Sequence, residues 1–142
     1  MEEDIPADGL GEAFGVVARR LRAAAMTAFA AYDVTPSQVR AIRVLREHGE
    51  GGGVRSSELA QHLRIAPRSA TEVVDALEAK GLVARSPDPR DRRATLVALT
   101  DHGRELSEEV RRARGVEADK LFERLTRADR ADLARILRKL QD

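Results

Sequence analysis

The chain has 142 residues, of which 42% are hydrophobic and 35% charged, with a formal net charge of +1 and no cysteine. This length suits one domain with an ordinary core, and the lack of cysteine excludes disulfides, thiol redox sensing, iron–sulfur clusters and cysteine-ligated zinc. No apolar run approaches the roughly 20 residues that span a bilayer. The start Met1-Glu2-Glu3-Asp4 is acidic where a secretory signal is basic, so a cytoplasmic protein without a membrane partner is expected.

Residues 1–8 read as a disordered acidic arm, and 9–142 as a single domain. Leu10, Phe14, Val17, Leu21, Ala24, Ala28 and Tyr32 recur at steps of four and three, which keeps one stripe of a helix apolar. The stripe is too long for the partner surface of one small domain. It reads as a core helix or as half of an interchain seam.

Asp33 to Ser37 interrupts the pattern, and Thr35-Pro36 opens a second helix with threonine as the cap and proline at the first position. That helix carries Val39, Ile42, Leu45 and His48 and ends in Gly49-Glu50-Gly51-Gly52-Gly53, a flexible turn. Two short helices follow. Ser56 or Ser57 caps the first, which faces inward through Leu59, Ala60 and Leu63. Arg64 to Ala66 forms a turn, and Pro67 opens the second, with Val73, Val74 and Leu77 inward and a stop at Lys80-Gly81.

Leu82–Arg85 and Ala94–Leu99 read as strands, joined by a charged turn-forming loop from Ser86 to Arg93. Thr100 caps a further helix bearing Leu106, Val110, Ala113 and Val116. Thr126 and Asp129 approach a capping box for the last helix, which packs through Leu133, Ile136, Leu137 and Leu140. The expected fold is mainly α with a small β-hairpin: a winged helix-turn-helix over about residues 36–100, flanked by N- and C-terminal helices over about 10–32 and 101–142.

In a helix-turn-helix the second helix enters the major groove and its N-terminal residues meet base edges. Here those are Pro67, Arg68, Ser69, Ala70, Thr71 and Glu72. Pro67 and Ala70 let the helix sit close, Arg68 suits guanine or phosphate, and Ser69 and Thr71 suit phosphate or base edges. The hairpin adds Arg85, Arg90, Arg92 and Arg93 against Asp88 and Asp91. A guanidinium at such a tip can enter the minor groove, while Asp91 is placed to hold Arg93 and the turn. By themselves these arginines do not outweigh a merely solvated charged loop.

Two segments resemble the MarR (multiple antibiotic resistance regulator) family: Ser57-Glu-Leu-Ala60 through Leu77-Glu-Ala-Lys-Gly-Leu-Val83, and Asp88-Pro-Arg-Asp-Arg-Arg-Ala94 running to Leu99-Thr100. The second is similar to that family's wing, with Asp91-Arg92-Arg93 as its Asp-x-Arg triplet. The resemblance implies a homodimer built from the first helix and the last two, through Leu10, Phe14, Val17, Leu21, Leu133 and Leu137. It implies a double-stranded palindromic operator contacted by the Pro67–Thr71 stretch, through Pro67, Arg68, Ser69 and Thr71, and by Arg93 in the minor groove, with repression as the default outcome. Arg90 and Arg92 are expected beside Arg93 as the other arginines of the tip, with Asp91 structuring the wing. It also implies a small aromatic or anionic effector that releases the DNA. Tyr32, Arg40, Arg43 and His48 lie near the expected hinge, where ordinary packing explains them equally well. Ala66, Glu72 and the triple glycine depart from the family pattern: they point to a weaker helix start, altered phosphate or base preference, and a looser connection.

Neither a phosphate-binding glycine loop nor a nucleophile beside a base is present, so an enzyme is not expected. His48, His62 and His102 are dispersed, which disfavours a metal site, and no cofactor is expected. The remaining alternative is a winged-helix protein-interaction module.

Overall fold

The computed structural model describes residues 5–141, apart from the side chains of Ala24 and Ala28. The elements run α1 (Ala7–Ala30), α2 (Pro36–His48), β1 (Val54–Arg55), α3 (Ser56–Leu63), α4 (Pro67–Ala79), β2 (Val83–Asp88), β3 (Asp91–Leu99), α5 (Asp101–Phe122) and α6 (Arg127–Lys139). The described residues form two compact units: residues 26–111, and residues 5–25 together with 112–141. The chain is therefore mostly helical with one small antiparallel sheet, as expected. No helix among the described residues is long and apolar enough to cross a membrane.

Local chemistry explains most boundaries in the first unit. Thr35 caps α2 in a capping box: its hydroxyl accepts from Gln38 N, and Gln38 Oε1 accepts from Thr35 N. Gly81, at φ +72°, ends α4 in a left-handed conformation. Thr100 caps α5, its Oγ1 accepting from Gly103 N at 3.1 Å. The cap expected at Ser56 or Ser57 is absent: Arg55 occupies the N-cap position of α3 without a side-chain cap, so both serines lie inside the helix.

Buried side chains converge from every element of this unit. Ala41, Ile42 and Leu45 of α2 join Leu59, Ala60 and Leu63 of α3 and Ala70, Val74 and Leu77 of α4. Leu82, Val83, Val97, Leu106 and Val110 are buried as well. Val39 and Val73, expected inside, are half-buried, and His48 is exposed.

The sheet differs from expectation in two ways. Its order is β1-β3-β2, so a two-residue strand, Val54–Arg55, pairs with Val97 and Leu96 beyond the expected hairpin. The hairpin strands also extend almost to the tip, where Ser86 pairs Leu96, Pro87 pairs Thr95 and Asp88 pairs Asp91. The expected loop thus shrinks to Pro89 and Arg90, and Pro87 is accommodated because β2 is an edge strand. Nor do the glycines simply loosen the connection to α3. Gly53 has φ +124°, and a Cβ there would stand 2.6 Å from Val97 O, so glycine lets β1 dock on β3.

In the second unit α1 begins at Ala7, taking two residues from the stretch assigned to the acidic arm; residues 1–4 lie outside the described residues. Leu10, Phe14 and Val17 are exposed on α1, as are Val116 on α5 and Ile136 on α6. Leu21, Leu133 and Leu137 are half-buried, while the side chains of Ala24 and Ala28 in the same stripe lie outside the described residues. Thr126 and Asp129 form the capping box of α6, and the two bonds from Thr126, through its hydroxyl and its backbone N–H, hold the Asp129 carboxyl below its usual pKa. Arg130 at the start of α6 donates to Phe122 O at the end of α5.

Candidate DNA interface

The turn between α3 and α4 sets the pose of α4. Arg64 adopts φ +54°, a left-handed conformation, and Arg64 N and Ile65 N donate to Gln61 O and Ala60 O. Pro67 then opens α4 at a position whose N–H would be idle in any case. Ala66 offers no side-chain cap, so the amides of Arg68 and Ser69 have neither an intrahelical nor a capping acceptor. They point out of a helix start, a geometry suited to phosphate oxygens.

Pro67, Arg68, Ser69, Thr71 and Glu72 are all exposed. Thr71 Oγ1 donates to Pro67 O at 3.0 Å, which leaves the hydroxyl its lone pairs for an outside donor. Ala70 is different: at 2% exposure it belongs to the core, so it does not provide the close groove approach expected of it.

The hairpin arginines divide into two sets. Arg85 is withdrawn from the interface, because Nη2 binds Asp75 Oδ1 at 2.6 Å and Nη1 binds Glu78 Oε1 at 3.1 Å. It ties the root of the wing to α4 and carries no free charge for DNA. Arg90, Arg92 and Arg93 are exposed, and the Arg93 side chain is 94% exposed. Arg93 N donates to Asp91 Oδ1 at 3.0 Å, and Arg93 Nε lies 3.6 Å from the same oxygen.

The tip itself is organised by Asp88, which sequence reasoning counted only as an opposing charge. Its buried carboxylate accepts from Arg55 Nε at 2.7 Å through Oδ2 and from Arg90 N at 2.9 Å through Oδ1. The Arg90 amide is the main cause of a lowered pKa; burial opposes it, and the Arg55 guanidinium adds to it. An aspartate directly before a proline signals such a side-chain turn. Its partner Arg55 lies 33 residues earlier and carries no local signal.

Arg40, expected near a hinge, has an ordinary partner, and so does Lys80 at the end of α4. Arg40 Nη2 donates to Leu63 O at 2.8 Å, and Lys80 Nζ donates to Gln38 Oε1 at 2.9 Å and to Asp33 O. The histidines are less dispersed than the sequence suggests, since His48 and His62 stack with ring centroids 4.2 Å apart and 16° between planes. Among the described residues no group of three or more His, Cys, Asp or Glu is placed to hold a metal ion.

A helix with an exposed polar N-terminal face, held beside an arginine-tipped hairpin in one compact unit, defines a winged helix-turn-helix protein of the nucleic-acid-binding class. The comparisons place it more narrowly. The MarR family profile matches residues 34–95. The chain is 34% identical over 107 residues to the HTH-type transcriptional repressor MdtR of Bacillus subtilis, covering 75% of this chain and 67% of that protein. Among solved structures it is similar to RV1404 of Mycobacterium tuberculosis, with a TM-score of 0.86, 29% identity and coverage of 99% and 96% of the two chains. It is likewise similar to wild-type MarR of E. coli, with a TM-score of 0.77, 26% identity and coverage of 99% and 100%. The chain belongs to the MarR family. It is a DNA-binding transcriptional regulator, not an enzyme.

Proposed function

We propose that this regulator is a cytoplasmic repressor that binds a palindromic operator as a homodimer and is released by a small aromatic or anionic ligand. One observation carries the DNA pose. Arg68, Ser69 and Thr71 on α4 and Arg90, Arg92 and Arg93 at the wing tip are all exposed within residues 26–111. In this reading α4 enters the major groove, with its idle amides and Arg68 meeting phosphates and bases, and Arg93 enters the flanking minor groove.

Two further features support the rest. A lone domain makes too few phosphate contacts for tight binding, whereas a two-fold pair sets recognition helices about 34–36 Å apart, one turn of DNA. Leu10, Phe14 and Val17 on α1 and Ile136 on α6 are exposed apolar side chains on the helices that would pair, joined by half-buried Leu21, Leu133 and Leu137. Repression follows the named role of the relative MdtR, and the effector follows the family likeness.

The test is binding of the purified chain to the DNA flanking its own gene across a salt series. Sequence-selective binding with a steep salt slope supports the reading. Weak binding without preference leaves a protein-interaction module as the better account. Loss of binding on adding small phenolic or other aromatic acids tests the ligand arm.

A further inference from the structure

The outward face of α4 carries an unusual charge order. Arg68, Glu72 and Asp75 follow at spacings of four and three, opposite the buried stripe of Ala70, Val74 and Leu77. Asp75 is committed to Arg85, which Glu78 also holds. Glu72 is exposed, and among the described residues it forms no ion pair. It also sits at the sixth helical position, past the first turn where a carboxylate would be favoured by the helix dipole. Among the described residues no side chain engages this carboxylate.

Its surroundings in a groove would decide its partner. Phosphates repel it. A carboxylate only accepts hydrogen bonds, and in the major groove the donors are the cytosine N4 and adenine N6 amines. Adenine sets its N7 acceptor beside that amine, guanine shows two acceptors, and thymine shows an acceptor and a methyl group. Cytosine is the one base edge that offers the carboxylate a donor without an adjacent acceptor.

We propose that Glu72 is a specificity-determining residue that reads cytosine through its N4 amine, and that the Asp75–Arg85 pair leaves it free to do so. The proposal rests on α4 being the groove-reading helix. It implies a double effect: Glu72 selects one base and weakens binding to every other sequence through its charge.

The experiment is selection from a randomised duplex pool with the full-length chain, as wild type, Glu72→Gln and Glu72→Ala, with affinity for random duplex measured in parallel. The wild type is expected to enrich a cytosine at one position of each half-site. Glu72→Gln should move that position to adenine, whose N6 and N7 a side-chain amide matches. Glu72→Ala should lose about ten-fold or more discrimination there, keep the other positions, and bind random duplex more tightly. An unchanged cytosine preference in both variants, or an equal loss of affinity for all sequences, overturns the proposal while leaving DNA binding intact. So does tighter random binding with no change of preference. If the wild type itself enriches nothing and shows no salt-dependent binding, the groove-reading role of α4 fails and this inference falls with it.

Discussion

Arg55 Nε donates to Asp88 Oδ2 at 2.7 Å, joining the two-residue strand β1 to the end of β2 at the base of the wing tip. The Asp88 side chain is 7% exposed and Arg55 37%, so the carboxylate is shielded while the guanidinium keeps one side in water. Because the other Asp88 oxygen accepts from Arg90 N, one carboxylate fixes both the lateral position of the tip and its turn.

Asp88→Ala should therefore leave the helical core folded but free the tip, weakening DNA binding several-fold, with circular dichroism unchanged and duplex affinity reduced. Asp88→Asn keeps an acceptor for one of the two donors and should fall between. The pH dependence has a fixed sign. Asp88 titrates below its usual value of 3.8 in the folded chain, so its contribution is complete above that value and is lost as pH falls through the lower folded pKa. Wing geometry, followed by amide shifts of residues 88–93, should be constant from neutral pH to about pH 5. A transition centred near neutrality would show that another group holds the tip.

Arg93→Ala removes a side chain that is 94% exposed, so the fold should be indifferent to it. Operator affinity should drop about ten-fold, on the order of 1.4 kcal/mol, with a shallower salt slope. Normal binding by this variant would remove Arg93 from the interface.

Gly53→Ala places a Cβ against Val97 O in a backbone region that L residues avoid. We expect a loss of roughly 1–3 kcal/mol in urea unfolding, together with weaker DNA binding, because β1 carries Arg55 to Asp88. Gly51→Ala should affect DNA binding less, since a Cβ there meets nothing within 4 Å.

Leu21→Glu inserts a charge into the apolar stripe of α1, where Leu21 is half-buried. Sedimentation should show a monomer that retains helical content and binds DNA weakly. An unchanged dimer mass would move the seam elsewhere.

Much of this protein was legible in the order of its residues because the governing interactions are short. Thr35 reaches Gln38, Thr100 reaches Gly103, Thr126 reaches Asp129, and Pro67 and Gly81 act through their own backbones. Such signals mark helix ends without reference to the rest of the chain, and the apolar stripes of α3 and α4 then assign their inner faces. Tertiary structure alone decided which charges are free. Arg85 looked like one more wing arginine until the fold set it against Asp75 and Glu78, and Arg55 had no visible partner until β1 paired with β3. The stacking of His48 on His62 arose in the same way. A helical period names the face of a residue, but an ion pair between distant segments needs the loop between them closed, and closure is set by packing of the whole unit. The residues that would touch DNA were therefore readable from local pattern, whereas the clamps that hold them in place were products of the assembled fold.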